Sequence, residues 1–192
     1  MTLTLNPIPF WFLRHGETDW NVQNLSQGDI DIPLNATGRA QALRAAELMR
    51  GHEVRSIVSS NLSRAMDTAA AVSVVAGLAY TTDPQLREVK FGEQEGQPMG
   101  DWYDDWIAGT YTPEGAETFA GLRARVVSAI NRALLQPSPV LIVAHGAFFR
   151  AVRSAMGLVP NIRTPNAVPI LCLPPEDGTG PWDLRPVEHS AG

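Results

Sequence analysis

Short apolar runs alternate with longer stretches of helical periodicity along the chain, with no internal repeat and no low-complexity linker. That alternation predicts an α/β domain built on a mainly parallel sheet. Ile8 to Leu13 (IPFWFL) is short and rich in aromatic residues, as a buried strand requires. Asn35 can cap a helix running to about Arg50, with Gly51 as its stop. Arg55 to Ser59 reads as a second strand, and Ser60 or Asn61 as the cap of a helix to about Ala76, before Gly77. Gln85 to Phe91 reads as a short extended or turn segment. Met99 to Ala108 carries Trp102 and Trp106 four positions apart, the spacing of one face of a short amphipathic helix. Glu117 to Leu135 reads as a longer helix, ended by Pro137-Ser138-Pro139. Val140 to Ala144 (VLIVA) is the clearest buried strand and leads through His145-Gly146 into a helix toward Met156. Val168 to Leu173 is a further strand, and an edge strand is expected around Trp182 to Val187.

Length and composition narrow the classes. A chain of 192 residues fits one domain spanning positions 1–192, because a second would leave neither with a full core. A net charge of −5 without basic runs makes a poor sequence-independent nucleic-acid binder. No apolar stretch approaches the roughly 18 residues needed to span a membrane. Met1 to Asn6 carries no basic side chain before its apolar residues, so it does not read as a signal peptide. Cys172 is the single cysteine, which excludes an internal disulfide and a multi-cysteine metal site. The cytoplasm is the expected compartment. Of the 15 basic residues only Lys90 is lysine. Codon usage accounts for most of that arginine excess, although arginine also suits rigid recognition of oxyanions.

Three of the expected strands end at Arg14-His15-Gly16, Ser59-Ser60-Asn61 and His145-Gly146. Sites in open α/β sheets form beyond the carboxyl ends of the strands. Those ends present His15, His145 and Arg14, with Arg64 in the opening turn of the following helix, where an anion is already favoured. Two arginines and two histidines suit a phosphate-like dianion. A neutral histidine facing such an anion can also take the phosphoryl group itself. Glu88 is a candidate acid for the leaving oxygen and base for the incoming water.

Phe12-Leu13-Arg14-His15-Gly16-Glu17-Thr18-Asp19-Trp20-Asn21 closely resembles the signature of the histidine phosphatase superfamily, also called the phosphoglycerate mutase-like family. The likeness continues through Gln27-Gly28, Asp31-Ile32-Pro33-Leu34 and Gly38-Arg39-Ala40-Gln41-Ala42. Later blocks are Ser59-Ser60-Asn61-Leu62-Ser63-Arg64-Ala65, Leu86-Arg87-Glu88, Pro113-Glu114-Gly115-Ala116-Glu117-Thr118 and Val143-Ala144-His145-Gly146. The resemblance implies a three-layer sandwich, with a mainly parallel central sheet flanked by helices. It further implies hydrolysis of small phosphomonoesters with His15 as nucleophile, and Arg14, Arg64 and His145 holding the phosphoryl oxygens. Glu88 would be proton donor and base. Asn21 and Gln27 match positions lining the phosphate pocket, Thr18 and Gly146 belong to the same motifs, and no metal or other cofactor is implied. Many relatives carry an arginine where Leu25 stands, which removes one candidate contact to an anionic substrate tail. Mutases of the superfamily usually have an Arg-His-like pair after the acid, where this chain has Val89-Lys90, and a longer insertion before the glycine-rich block at Pro113. Both departures favour hydrolysis. The alternatives are a phosphoglycerate mutase-type isomerase and a non-catalytic phosphate-ligand binding module.

The expected partner is a small phosphorylated substrate rather than nucleic acid or membrane, and a homodimer stays open. His52 and His189 read as loop residues, Cys172 as core, and Asp29 and Asp31 as loop contacts rather than a metal pair. Gly178 to Gly180 lacks the lysine of a phosphate-binding loop. Trp102, Tyr103 and Trp106 read as core or lid packing. Asp101, Asp104 and Asp105 among them would disfavour highly anionic substrates if that segment capped the site.

Overall fold

A computed structural model of the chain describes residues 4–187, so His189 lies outside the described residues. The strands are β1 (Phe10–Arg14), β2 (Ser56–Ser59), β3 (Tyr80–Thr82), β4 (Val140–Ala144), β5 (Pro169–Leu173) and β6 (Asp183–Pro186). The helices are α1 (Asp19–Val22), α2 (Ala36–Met49), α3 (Ser63–Ala76), α4 (Trp102–Ala108), α5 (Phe119–Ala133) and α6 (Gly146–Ala155). One sheet of six strands runs in the order β3-β2-β4-β1-β5-β6. Its first four strands are mutually parallel, and β5 and β6 add antiparallel pairs at one side.

The central strand β4 (VLIVA) is apolar at every position, and β1 at every position but Arg14, because both faces are covered there. On β1, Phe10 and Phe12 point to one face, and Trp11 and Leu13 to the other. Val140 and Ile142 of β4 join the Phe12 side, where α4, α5 and α6 pack. Leu141 and Val143 join the Leu13 side, against α2 and α3. This alternation produces the three layers. Each fully buried Phe or Leu contributes about 1.5–3 kcal/mol of transfer free energy.

The connections decide where a site can form. From β1 the chain passes through α2 to β2 and through α3 to β3. It then returns on the opposite face through α5 to β4, which lies between β2 and β1. Chain direction across the sheet reverses at that point, and a crevice opens beyond the carboxyl ends of β1, β2 and β4.

Several boundaries follow local chemistry as expected. Asn35 caps α2 by accepting from the Gly38 N–H, and Gly77 ends α3 at φ 66°. The cap of α3 differs from expectation. Leu62 holds that position and neither Ser60 nor Asn61 supplies a side-chain cap; instead Asp31 accepts from the Ser63 N–H at 2.8 Å. A residue from a distant loop has taken the role. The long helix is shorter at both ends than its periodicity suggests, beginning after the Thr118 cap. The α4 helix likewise starts at Trp102 rather than Met99.

Two glycines let the first strand end approach α2. A Cβ on Gly16 would fall on the Gly38 backbone, and one on Gly38 would fall on the Glu17 backbone. Gly38 sits inside a helix, where alanine is ordinarily preferred. The close backbone approach overrides that preference.

Candidate active site

The crevice holds a cavity of about 130 Å³ whose walls include Arg14, His15, Asn21, Gln27, Arg64, Glu88 and Gly146. Seven of the nine residues singled out in the sequence therefore share one lining. His145 and Thr18 are fully buried beside that lining, His145 with its ring against His15 and Thr18 bonded to Gln27.

His15 extends from the carboxyl end of β1, with its backbone N–H bonded to Ala144 O of β4 at 3.0 Å. Its Nδ1 lies 2.7 Å from Gly16 O. A carbonyl only accepts, so Nδ1 carries the proton and Nε2 keeps its lone pair. Burial and the nearby Arg64 and Arg14 charges hold the imidazole well below its ordinary pKa. His15 is thus a neutral nitrogen with a defined free lone pair.

His145 packs against it with the rings tilted by 56° and their centroids 5.2 Å apart. Its Nε2 is 2.8 Å from Ser60 Oγ, while its buried Nδ1 has no protein partner among the described residues. When Ser60 donates to Nε2, Nδ1 carries a proton and becomes a neutral donor. Burial, then Arg64, also depresses the His145 pKa well below the ordinary range.

Both arginines are fixed by backbone carbonyls. Arg14 Nη1 donates to Thr164 O at 2.6 Å; Arg64 donates to Ile30 O at 2.7 Å and Gly28 O at 2.9 Å. Burial lowers each to about 10, partly offset by the Glu88 charge, so both are cations at neutral pH. The Nε of each is buried without a partner. An unmade hydrogen bond of this kind costs about 1–3 kcal/mol. Four such orphaned donors, on Arg14, Arg64, His145 and Arg150, belong to this one region. A ligand rich in acceptor oxygens would satisfy them together.

The helix ends do not supply the anion site that the sequence suggests. Asp31 already occupies the start of α3 through both the N–H and the hydroxyl of Ser63. Glu88 occupies the start of α6, accepting from Ala147 N at 2.9 Å, Phe148 N at 2.8 Å and its neighbour Val89 N at 3.1 Å. The positive dipole ends are neutralised by the protein's own carboxylates, which leaves anion recognition to the guanidinium groups.

The flanking residues position these groups. Thr18 and Asn21 form a reciprocal cap of α1, and Thr18 Oγ1 donates to Gln27 Oε1 at 2.9 Å. Thr18 is fully buried and acts by orienting Gln27, which does line the cavity. A Cβ on Gly146 would crowd the Arg14 guanidinium, lying 3.3 Å from its Nε. Asn166 Nδ2 donates to His15 O at 2.9 Å, and Ala167 N–H donates to Arg14 O at 2.9 Å. Ala167 adopts φ 52°, a strained conformation for a side chain with a Cβ.

Arg150, Arg163 and Thr164, which sequence reasoning missed, also line the cavity, as does Tyr103 from the segment expected to pack as core or lid. Arg150 follows Gly146 by four positions on α6, so helical spacing alone places both on one face. Arg163 and Thr164 lie in an irregular loop with no comparable signal. Of the aromatic and acidic α4 segment only Tyr103 reaches the lining; Trp106 is core. The expected acidic cap is therefore corrected, because Asp101, Asp104 and Asp105 do not line the cavity.

The two histidines carry a stability consequence. Below pH about 6.5 the unfolded chain protonates them while the folded chain does not. Stability is therefore complete above that pH and lost as pH falls toward their folded pKa values. Each contributes up to about 1.4 kcal/mol per pH unit. Urea unfolding at pH 7, 6 and 5 should show a decline approaching the two-proton slope. A flat profile would mean that the rings are not buried neutral.

Comparison with known proteins agrees with this geometry. A family model described as histidine phosphatase superfamily (branch 1) matches residues 10–166. A probable phosphoglycerate mutase of Yersinia enterocolitica is 35% identical over 164 residues, covering 79% of this chain and 76% of its own. A glucosyl-3-phosphoglycerate phosphatase of Mycobacterium tuberculosis is 32% identical over 174 residues, covering 80% and 77%. Among solved structures, a mycobacterial glucosyl-3-phosphoglycerate phosphatase in complex with vanadate superposes with TM-score 0.80 at 29% identity, over 92% of this chain and 96% of that one.

Proposed function

The chain belongs to the histidine phosphatase superfamily (branch 1), and from that premise we propose that it hydrolyses small phosphomonoesters through a phosphohistidine on His15. The observation that carries the reading is the His15 Nε2 lone pair in one small cavity with the unpartnered donors of Arg14 and Arg64. Nε2 attacks phosphorus as the P–O bond to the leaving group breaks, and Gly16 O holds the Nδ1 proton on the ring that becomes cationic. Arg14, Arg64 and His145 donate to the phosphoryl oxygens, where charge builds in the transition state. The Glu88 carboxylate takes up the proton of a monoanionic phosphoryl group as the substrate binds and passes it to the leaving oxygen. As a carboxylate it then takes a proton from water, whose oxygen attacks phosphorus and returns the lone pair to Nε2. Asn21 and Gln27 border the same volume as secondary contacts.

Charge stabilisation comes from guanidinium groups, so we read the chemistry as metal-independent. A single reduced cysteine suits the cytoplasm, where we place the protein. Among the described residues no helix is long and apolar enough to cross a membrane.

The mutase reading has the names of several relatives in its favour. Incubation with 3-phosphoglycerate in the presence of EDTA separates the two. Free phosphate accumulating without 2-phosphoglycerate is the expected result, and interconversion without phosphate release would overturn it.

A further inference from the structure

Arg14 and Arg64 lie deep in the cavity and are already accounted for by a phosphoryl group. Arg150 and Arg163 are not. Arg150 Nη1 bonds the neutral Tyr103 hydroxyl at 2.9 Å, and its guanidinium carbon sits 4.7 Å above the Tyr103 ring. That stack fixes the plane of the fork while leaving its charge uncompensated. The Nε is buried and has no partner. Among the described residues neither Arg150 nor Arg163 has a carboxylate within ion-pair distance. Of the α4 carboxylates, Asp104 accepts from Asn161 and Asp105 from Thr110. Arg163 is exposed beside Thr164, the residue that anchors Arg14, so the pair lies toward the mouth.

Charge balance points the same way. Four guanidinium groups face a single carboxylate, Glu88, around this volume. With neutral histidines, a phosphoryl dianion leaves the lined cavity net positive.

We propose that Arg150 and Arg163 form a second anion subsite, so that the preferred substrate carries a carboxylate or a second phosphoryl group on the part that leaves. The proposal rests on the phosphatase reading for the orientation of the substrate, but not for the existence of the subsite. Leu25 lines the same cavity without a charge, and α6 with the loop after it supplies the two cations. The Tyr103 hydroxyl, held by Arg150, sets the side wall of this subsite. A sugar or alcohol phosphate without a second charge would bind through Arg14 and Arg64 alone.

The test is calorimetric titration of the full chain with three phosphonates that cannot be hydrolysed: propylphosphonate, 3-phosphonopropionate and propane-1,3-bisphosphonate. At least one of the two doubly anionic ligands should bind about tenfold tighter than propylphosphonate. Whichever gains more identifies the second group as carboxylate or phosphoryl. Arg163→Gln and Arg150→Gln should each remove most of that preference. Arg163 is exposed, so its variant remains decisive even if loss of the Tyr103 stack unfolds the Arg150 variant. Equal affinity for all three ligands overturns the proposal, as does a preference that survives Arg163→Gln undiminished. Phosphate release from phenyl phosphate is scored separately. No release, with the binding preference intact, would remove the hydrolase reading and leave the subsite standing.

Discussion

The His15→Ala protein should release phosphate from phenyl phosphate at least about 10⁴-fold more slowly than wild type, because the lost group forms the covalent bond. No neighbouring side chain can substitute. His145 has its Nε2 committed to Ser60, and among the described residues the one cysteine is buried on β5 at the other antiparallel side of β1. Inorganic phosphate should still bind, since the guanidinium donors of Arg14 and Arg64 keep their backbone anchors. Acid-labile phosphate should appear on wild-type protein quenched during turnover and be absent from the variant. The variant also loses one of two acid-sensitive rings, so its stability should depend on pH about half as steeply between pH 7 and 5. Turnover near the wild-type rate would end the phosphohistidine mechanism.

Glu88→Gln is expected to separate substrates by leaving group. Alkyl phosphates, whose departing oxygen needs a proton, should slow on the order of 10²–10⁴-fold. Nitrophenyl phosphate leaves as a stabilised anion and should lose far less. The geometry adds a second effect. Both Glu88 oxygens accept from backbone N–H groups, Oε2 from Ala147 and Oε1 from Phe148 and Val89. Glutamine can present only one oxygen, so its NH₂ must face a donor at the start of α6. That mismatch costs about 1–3 kcal/mol and a few degrees of Tm. A uniform loss across leaving groups with unchanged Tm would count against Glu88 as the proton donor.

Sequence reasoning captured what neighbouring residues determine. The strand ends at His15 and His145 follow from short apolar runs, and the Asn35 cap from its own side chain. It missed what distant segments impose. Asp31 caps α3 across a separation of 32 residues, so the residues preceding that helix gave the wrong assignment. The β3 strand is short and half exposed, with no apolar run to mark it. Arg150 was recoverable from its four-residue spacing to Gly146, whereas Arg163 depends on a loop path that carries no periodicity. Helix ends were expected to bind the anion, but capping carboxylates from elsewhere in the chain had already filled them. The arginine excess thus has more purpose than its composition suggests.

The middle position of β1 also bears on how the protein reaches its working state. Arg14 aligns with Ala144 on one side, and its side chain is anchored to Thr164, 150 residues onward. Asn166 reaches back 151 residues to His15. The end of β1 is thus completed only by a segment some 150 residues onward, and contacts of that span form late in folding. No partly folded form, and no early stretch of nascent chain, can assemble the paired histidines and the anchored arginine. The arginine and histidine of the site are therefore held in place only once the sheet has closed around β1.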